Sequence, residues 1–235
     1  MSLPPNVHVS SHPCLQAKLS LVRSSSTTPK ETRGLVNDIA NILGVEAFAG
    51  LKLVKSGTDT TPLGIEYGTQ RIEPADLALV PILRSGLGMV DAINDLLPTP
   101  VPVYHLGLFR EKVSLQPVEY YNNLPFHHSE LSPSIPASLT PTTNTAAASL
   151  AVLLDPVIAT GATAEAAIQL LRDWGVKKVI MLSVLASEEG VKRAAGTWSE
   201  VEVWVGAVDK GVDEKGMIVP GVGDIGDRLF VAVGK

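Results

Sequence analysis

The sequence predicts an α/β fold in which a mainly parallel sheet is covered by helices on both faces. Three observations carry that prediction. The segments 77–83, 101–109, 152–154, 179–185 and 201–208 are rich in apolar residues and lack clean two-residue alternation, as strands buried on both faces do. Several of them are followed by a helix-spaced apolar pattern, so strand and helix alternate along the chain. Finally, 235 residues with 45% hydrophobic content can bury a substantial core, and residues 1–235 are read as one domain.

The amino-terminal part opens the series with two predicted helices within residues 13–49. Leu15, Leu19 and Val22 space one apolar face, and Leu35, Ile39, Ile42 and Leu43 space another. Between them Ser24-Ser25-Ser26-Thr27-Thr28-Pro29 is a connection that supplies cap residues to the second helix. Lys52 to Ile72, punctuated by Gly57, Pro62, Gly64 and Gly68, reads as a hairpin of two short strands.

From residue 77 the rhythm changes. Leu77 to Leu83 is a strand, Arg84-Ser85-Gly86-Leu87-Gly88 a polar turn, and Met89, Val90, Ile93, Leu96 and Leu97 mark a helix. The segment VLLDPVIATGAT at 152–163 repeats the theme with more chemistry. An apolar run ends in Asp155, a Thr-Gly turn follows, and Ala164 to Leu171 continues as a helix. Backbone N–H groups at such a helix start favour an anion of phosphate size. Asp155 would repel that anion, so its natural partner is a pair of sugar hydroxyls beside it. Arg84, Arg110 and Asp155 each follow the carboxyl end of a predicted strand, the edge where open sheets of this class bind ligands. Two guanidinium groups there suit bidentate phosphate contacts.

Composition narrows the function classes. A net charge of -5 and a pI near 5.5 remove the broad positive field needed for nonspecific nucleic-acid or anionic-membrane binding. One cysteine, Cys14, excludes an internal disulfide framework and a multi-cysteine zinc site and agrees with a reducing compartment; it reads as a packed or incidental thiol. MSLPPNVHVSSHP has no signal-peptide core, and no apolar run reaches the ~18 residues of a span. No membrane partner is expected, and the mean hydropathy of +0.23 is assigned to interior elements or a subunit interface.

Taken together, His12-Pro13, PILRSGLGMVDAI at 81–93, LFREKVSLQPVEYYNNLP at 108–125, LLDPVIATGAT at 153–163 and GMIVPGVGDIGDRLF at 216–230 resemble the uracil phosphoribosyltransferases, a branch of the type I phosphoribosyltransferases. Asp155 followed by Pro156 fits this branch, where the wider superfamily often carries two acids. The resemblance implies a type I phosphoribosyltransferase-like fold with a small hood over the base and a β-hairpin arm. It also implies Mg2+-assisted transfer of 5-phosphoribosyl from phosphoribosyl pyrophosphate (PRPP) to N1 of uracil, giving UMP and pyrophosphate in pyrimidine salvage.

By the same resemblance, Arg84, Arg110, Asp155, Pro156, Val157, Ile158, Ala159, Thr160, Gly161, Ala162, Thr163 and Asp224 bind the donor. Asp155 meets the ribose hydroxyls, 160–163 the 5-phosphate, and the two arginines the pyrophosphate. Ile218, Gly223, Asp224 and Ile225 form the uracil site, and Asp224, Arg84 and Arg110 are the residues assigned to catalysis. Magnesium is expected on substrate oxygens and water, with Asp224 contributing indirectly, while Asp227 reads as a structural cap. Relatives form dimers or larger assemblies, so a homodimer or homotetramer is expected. The cytoplasm is the default setting for a sequence with no signal peptide or span; some relatives respond to a GTP effector, for which this chain has no identifiable signature.

Departures from the family pattern are local. Ala162 stands where glycine is frequent, Glu111-Lys112 follow Arg110 where more acid is common, Met217 replaces an aromatic, and Ile225 replaces a smaller residue. Residues 127–149, rich in Ser, Thr, Pro and Ala, read as a mobile insertion and candidate lid; His127-His128 there read as solvated, without nearby ligand partners. Trp198 and Trp204 read as packing residues near and within a strand, and Lys177-Lys178 as a solvated turn. Two other functions remain open on the sequence: a catalytically silent or regulatory relative that binds uracil nucleotides, and transfer to another base.

Overall fold

The computed structural model describes residues 2–111, 116–125 and 148–231. Its centre is an eight-stranded sheet in the order β1-β10-β9-β7-β4-β5-β6, with β8 pairing β9 off the path. The strands are β1 (Val7–Val9), β4 (Leu77–Leu83), β5 (Leu106–Arg110), β6 (Pro117–Asn122), β7 (Leu150–Leu154), β8 (Val157–Ile158), β9 (Lys178–Ser187) and β10 (Val201–Asp209). Every pairing is parallel except β5 with β6.

The absence of alternation in the central strands has a direct structural cause, because successive residues enter two different cores. Leu77 and Leu79 of β4, with Leu150, Val152 and Leu154 of β7, meet α1 (Pro13–Arg23), α2 (Pro29–Phe48) and α3 (Leu87–Leu96). Ala78, Val80 and Ile82, with Ala151 and Leu153, meet α4 (Ala162–Trp174) and α5 (Glu188–Gly196) on the other face. The α/β class read from the sequence, with helices on both faces, is therefore the observed one.

The connection before α2 caps it as its composition implies. Thr28 is the N-cap, its hydroxyl accepting from the Glu31 N–H while Glu31 accepts from the Thr28 N–H, and Pro29 occupies the first turn. β2 (Lys52–Thr60) and β3 (Glu66–Glu73) form an antiparallel two-stranded arm. Leu53, Leu63, Ile65 and Tyr67 on it are exposed.

Two elements differ from the sequence reading. The strand expected over 101–109 begins only at Leu106, and Val103 makes an isolated bridge to Leu79. Pro102 lacks the N–H that a continuous ladder would use, although its carbonyl accepts from Leu79. β1, only three residues long, was not anticipated; it adds to β10 by pairing His8 with Trp204, whose rings stack at 4.2 Å. Trp204 is thus a strand packing residue, and Lys178 opens β9 with an ion pair to Glu202 at 2.7 Å. Cys14 is a free, exposed thiol. Among the described residues no helix is long and apolar enough to cross a membrane. The predicted insertion lies, apart from Ala148 and Ser149, outside the described residues, as does Lys112.

Candidate active site

The carboxyl ends of β4 and β7, the loop entering α4, and a carboxyl-terminal segment surround one cavity of about 340 Å³. That segment comprises β11 (Gly211–Val212), β12 (Ile218–Val219) and α6 (Ile225–Phe230). Of the residues the sequence singles out, Arg84, Asp155, Val157, Ile158, Ala159, Thr160, Gly161, Thr163, Ile218, Gly223, Asp224 and Ile225 line the cavity. Arg84 and Asp155 are brought together because β4 and β7 are neighbours in the parallel sheet, whereas residues 218–225 arrive on the separate β11–β12 pair and the start of α6.

Asp155 sits at the end of β7 and is only 7% exposed. Its Oδ1 accepts a 3.1 Å hydrogen bond from Ser85 Oγ, which ties the β4 turn to the β7 end. Burial pushes the Asp155 carboxyl up to about 7, against the opposing effects of the Ser85 hydroxyl and the Val157 N–H. Near neutral pH such an acid is only partly ionised, and new hydrogen-bond donors reaching it would favour the carboxylate.

Pro156 does not line the cavity; its carbonyl accepts from the N–H groups of Val184 and Leu185 and fixes the strand end. The following loop is held from beneath by Ser187, whose Oγ donates to the Ala159 carbonyl at 2.5 Å and accepts from the Gly190 N–H at 2.8 Å. Gly161 is the N-cap of α4 at φ 78°. A Cβ there would lie 2.6 Å from the Gly190 carbonyl oxygen, so both its handedness and its surroundings require glycine. Ala162 is the first residue of α4, and Val231 is the only non-glycine with positive φ among the described residues. The conformational demand in the loop thus falls on Gly161, and alanine at 162 is accommodated in the first turn of α4.

Arg84 follows β4 across a cis Leu83–Arg84 peptide bond and pairs with Asp227 at 3.4 Å. Asp224 is the N-cap of α6, its Oδ1 accepting from the Asp227 N–H at 3.0 Å. The capping function lies with Asp224, and Asp227 faces the arginine. Arg110 closes β5 opposite Pro117, and its neighbours Leu108 and Phe109 line the cavity together with Tyr120 of β6.

The floor under the carboxyl-terminal turn is also ordered. Asp213 Oδ1 accepts from the N–H groups of Lys215 and Met217 at 2.9 and 2.8 Å, presenting Gly216 and Met217 to the cavity. Sequence reasoning missed Ser85, Phe109, Tyr120 and Val222 as lining residues. All four lie in segments that carry the family resemblance, and Ser85 had a further signal as the polar residue next to Arg84 after an apolar strand.

The uracil phosphoribosyltransferase family model matches residues 9–232. The chain is 41% identical over 224 residues to the uracil phosphoribosyltransferase of Roseiflexus castenholzii, covering 95% of this chain and 97% of that protein. It is 37% identical over 226 residues to that of Natranaerobius thermophilus, with coverage of 95% and 97%. A solved structure of an Aquifex aeolicus protein superposes with a TM-score of 0.82 at 29% identity, covering 96% of this chain and 98% of the other. By the family match and these relatives, the chain belongs to the uracil phosphoribosyltransferase family.

Proposed function

We propose that this chain transfers the 5-phosphoribosyl group of PRPP to N1 of uracil, releasing pyrophosphate and forming UMP for pyrimidine salvage. The observation that carries the reading is the convergence of Asp155, the 157–161 loop, Arg84 and the 216–226 turn on one cavity. The helix start at Gly161 and Ala162 suits the 5-phosphate, since its N–H groups and dipole face that end. Asp155 accepts from the ribose hydroxyls, and Ser85 holds its other contacts in register.

As the anomeric C–O bond breaks, positive charge grows on the ribose and negative charge on the departing pyrophosphate. Arg84 and Arg110 are assigned to the latter, each such electrostatic element contributing on the order of a few kcal/mol to the transition state. The N1–C1 bond forms as that bond breaks, the N1 proton is released, and no covalent nucleophile is required. Uracil presents two carbonyls and two N–H groups in a fixed pattern. The turn around Ile218, Gly223, Asp224 and Ile225 reads that pattern through backbone groups, which are stiffer than long side chains.

A magnesium ion fits this inventory without a dedicated protein cage. Among the described residues no group of three His, Cys, Asp or Glu side chains could hold a metal. Asp224 is nevertheless exposed on the cavity with one carboxylate oxygen used as a cap. Mg2+ retains water and takes phosphate oxygens readily, so Asp224 would hold it through water or donor. When bound, the ion neutralises charge on the pyrophosphate. Assembly into a homodimer or homotetramer and a cytoplasmic setting belong to the same reading, supported by the exposed apolar residues on the hairpin arm and the single cysteine.

The test is to mix purified protein, Mg2+ and PRPP with each common nucleobase and measure pyrophosphate and nucleotide. UMP from uracil alone is expected. Turnover with a different base would reassign the acceptor, and donor binding without any turnover would identify a silent relative. Arg84→Ala is expected to raise the KM for PRPP about tenfold; an unchanged value would remove Arg84 from the pyrophosphate subsite.

A further inference from the structure

The base-side turn is built from short pieces, yet a set of charged side chains from remote parts of the chain meets behind it. Arg23, the last residue of α1, donates from Nη1 and Nη2 to the two oxygens of Asp209 at 2.8 and 2.7 Å. The same Nη1 donates to the Gly221 carbonyl at 2.9 Å, and the Gly221 N–H donates to Asp209 Oδ2 at 3.0 Å. One guanidinium, one carboxylate and both backbone groups of a single glycine therefore close a ring.

Gly221 cannot yield within that ring. It adopts φ 65°, and a Cβ would come within 2.0 Å of the Ile218 carbonyl oxygen. From the other side Arg228 donates to the carbonyls of Val222 at 2.8 Å and Ser24 at 3.0 Å, and also to that of Val22. The turn between Ile218 and Gly223 is thus clasped between the end of α1 and α6, while neither Arg23 nor Asp209 lines the cavity.

We propose that Arg23 and Asp209 are positioning residues for the acceptor base, setting the backbone groups of residues 218–223 at the spacing the base requires. The inference rests on the assignment of that turn to uracil. A site that recognises a rigid heterocycle through backbone groups tolerates displacements of only about half an ångström. The bidentate contact and the third bond to Gly221 supply such rigidity in a way that a lysine, a point charge on a flexible stem, does not. The Asp209 side chain is 9% exposed and Arg23 26%, so water competes little for the contact.

The experiment is steady-state kinetics with both substrates varied, on Arg23→Lys, Arg23→Met and Asp209→Asn, each beside its thermal midpoint. The site variant Gly223→Ala serves as the control. The expected result is a rise of about tenfold or more in the KM for uracil for Arg23→Met. A smaller rise is expected for Arg23→Lys, and the KM for PRPP should change less than about twofold in each. A lowered thermal midpoint with an unchanged uracil KM in the Lys and Asn variants would overturn the proposal and leave the pair as a tie between α1 and β10. If Gly223→Ala raises the uracil KM and the Arg23 variants do not, the positioning role fails while the base assignment stands. If Gly223→Ala also leaves it unchanged, the base assignment itself fails and the proposal falls with it.

Discussion

The two halves of the cavity are held by different means. The half proposed for the donor stands on the carboxyl ends of β4 and β7 and the start of α4, whose flanking residues Leu153, Leu154, Ala164 and Ala167 are buried. The half proposed for the base is a two-stranded piece, a turn and the six-residue α6, joined to the body by Arg23, Asp209 and Arg228 as well as by its buried apolar residues. Position in the first comes from continuous sheet packing; in the second, burial of Ile218, Val222, Ile225 and Leu229 against the core is joined by a few charge-assisted hydrogen bonds across the chain. Asp155 in the first half and Asp209 behind the second differ as well. Burial raises Asp155 to about 7. Burial would also raise Asp209, but the hydrogen bonds and charge of Arg23 and the Gly221 N–H outweigh it and hold its carboxyl below the ordinary value.

Removing the donor-side acid gives the largest expected effect. Asp155→Asn forfeits charge-assisted contacts with the ribose and should lower kcat/KM for PRPP about 100-fold. The ligand-free variant should nevertheless melt higher than the parent at pH 8 and no higher at pH 4, because a buried charge has been removed. Enzyme assays and melting curves at the two pH values check both halves of that statement; an activity unchanged from the parent would break the comparison.

pH sharpens the same contrast. Between about pH 4 and 7 folded Asp155 keeps a proton that the unfolded chain has lost, so this group lowers stability as pH rises through that window, by up to ~4 kcal/mol, and adds nothing further above it. The depressed Asp209 has the opposite sign. Its contribution is complete above the unfolded carboxylate pKa and disappears as pH falls through its folded value. Donor binding that demands ionised Asp155 should weaken about tenfold per pH unit below 7, reaching a slope of one in a plot of log Kd against pH. A flat plot from pH 5 to 7 would detach Asp155 from the donor.

The smallest effect is expected where neither half is touched. Lys178→Ala breaks a surface pair with Glu202 and should cost less than about 1 kcal/mol in urea unfolding, with the KM values of both substrates unchanged.

How much of this was legible in the sequence follows the same division. The run from Val152 to Leu171 declared strand, acid, loop and helix because all four are contiguous and each follows a local rule. The placement of Arg84 and Asp155 on one cavity needed only the rule that parallel strands present the same end, and Ser85, the neighbour of Arg84, donates to Asp155. The Arg23–Asp209 pair was not legible, because its members are 186 residues apart and each is an ordinary charged residue in its own segment. The three-residue β1 carried too little pattern to distinguish it from a tail, and its place is set by the exposed edge of β10. Ala162 raised a question in the sequence that only backbone angles answer, since the positive φ belongs to Gly161.

The most direct test of the divided cavity is PRPP affinity by calorimetry, measured with Mg2+ at pH 8 on the parent, Asp155→Asn and Arg23→Met. Donor affinity is expected to fall about 100-fold in the first variant and stay within about twofold of the parent in the second. Equal losses in both, or a loss confined to Arg23→Met, would contradict the division.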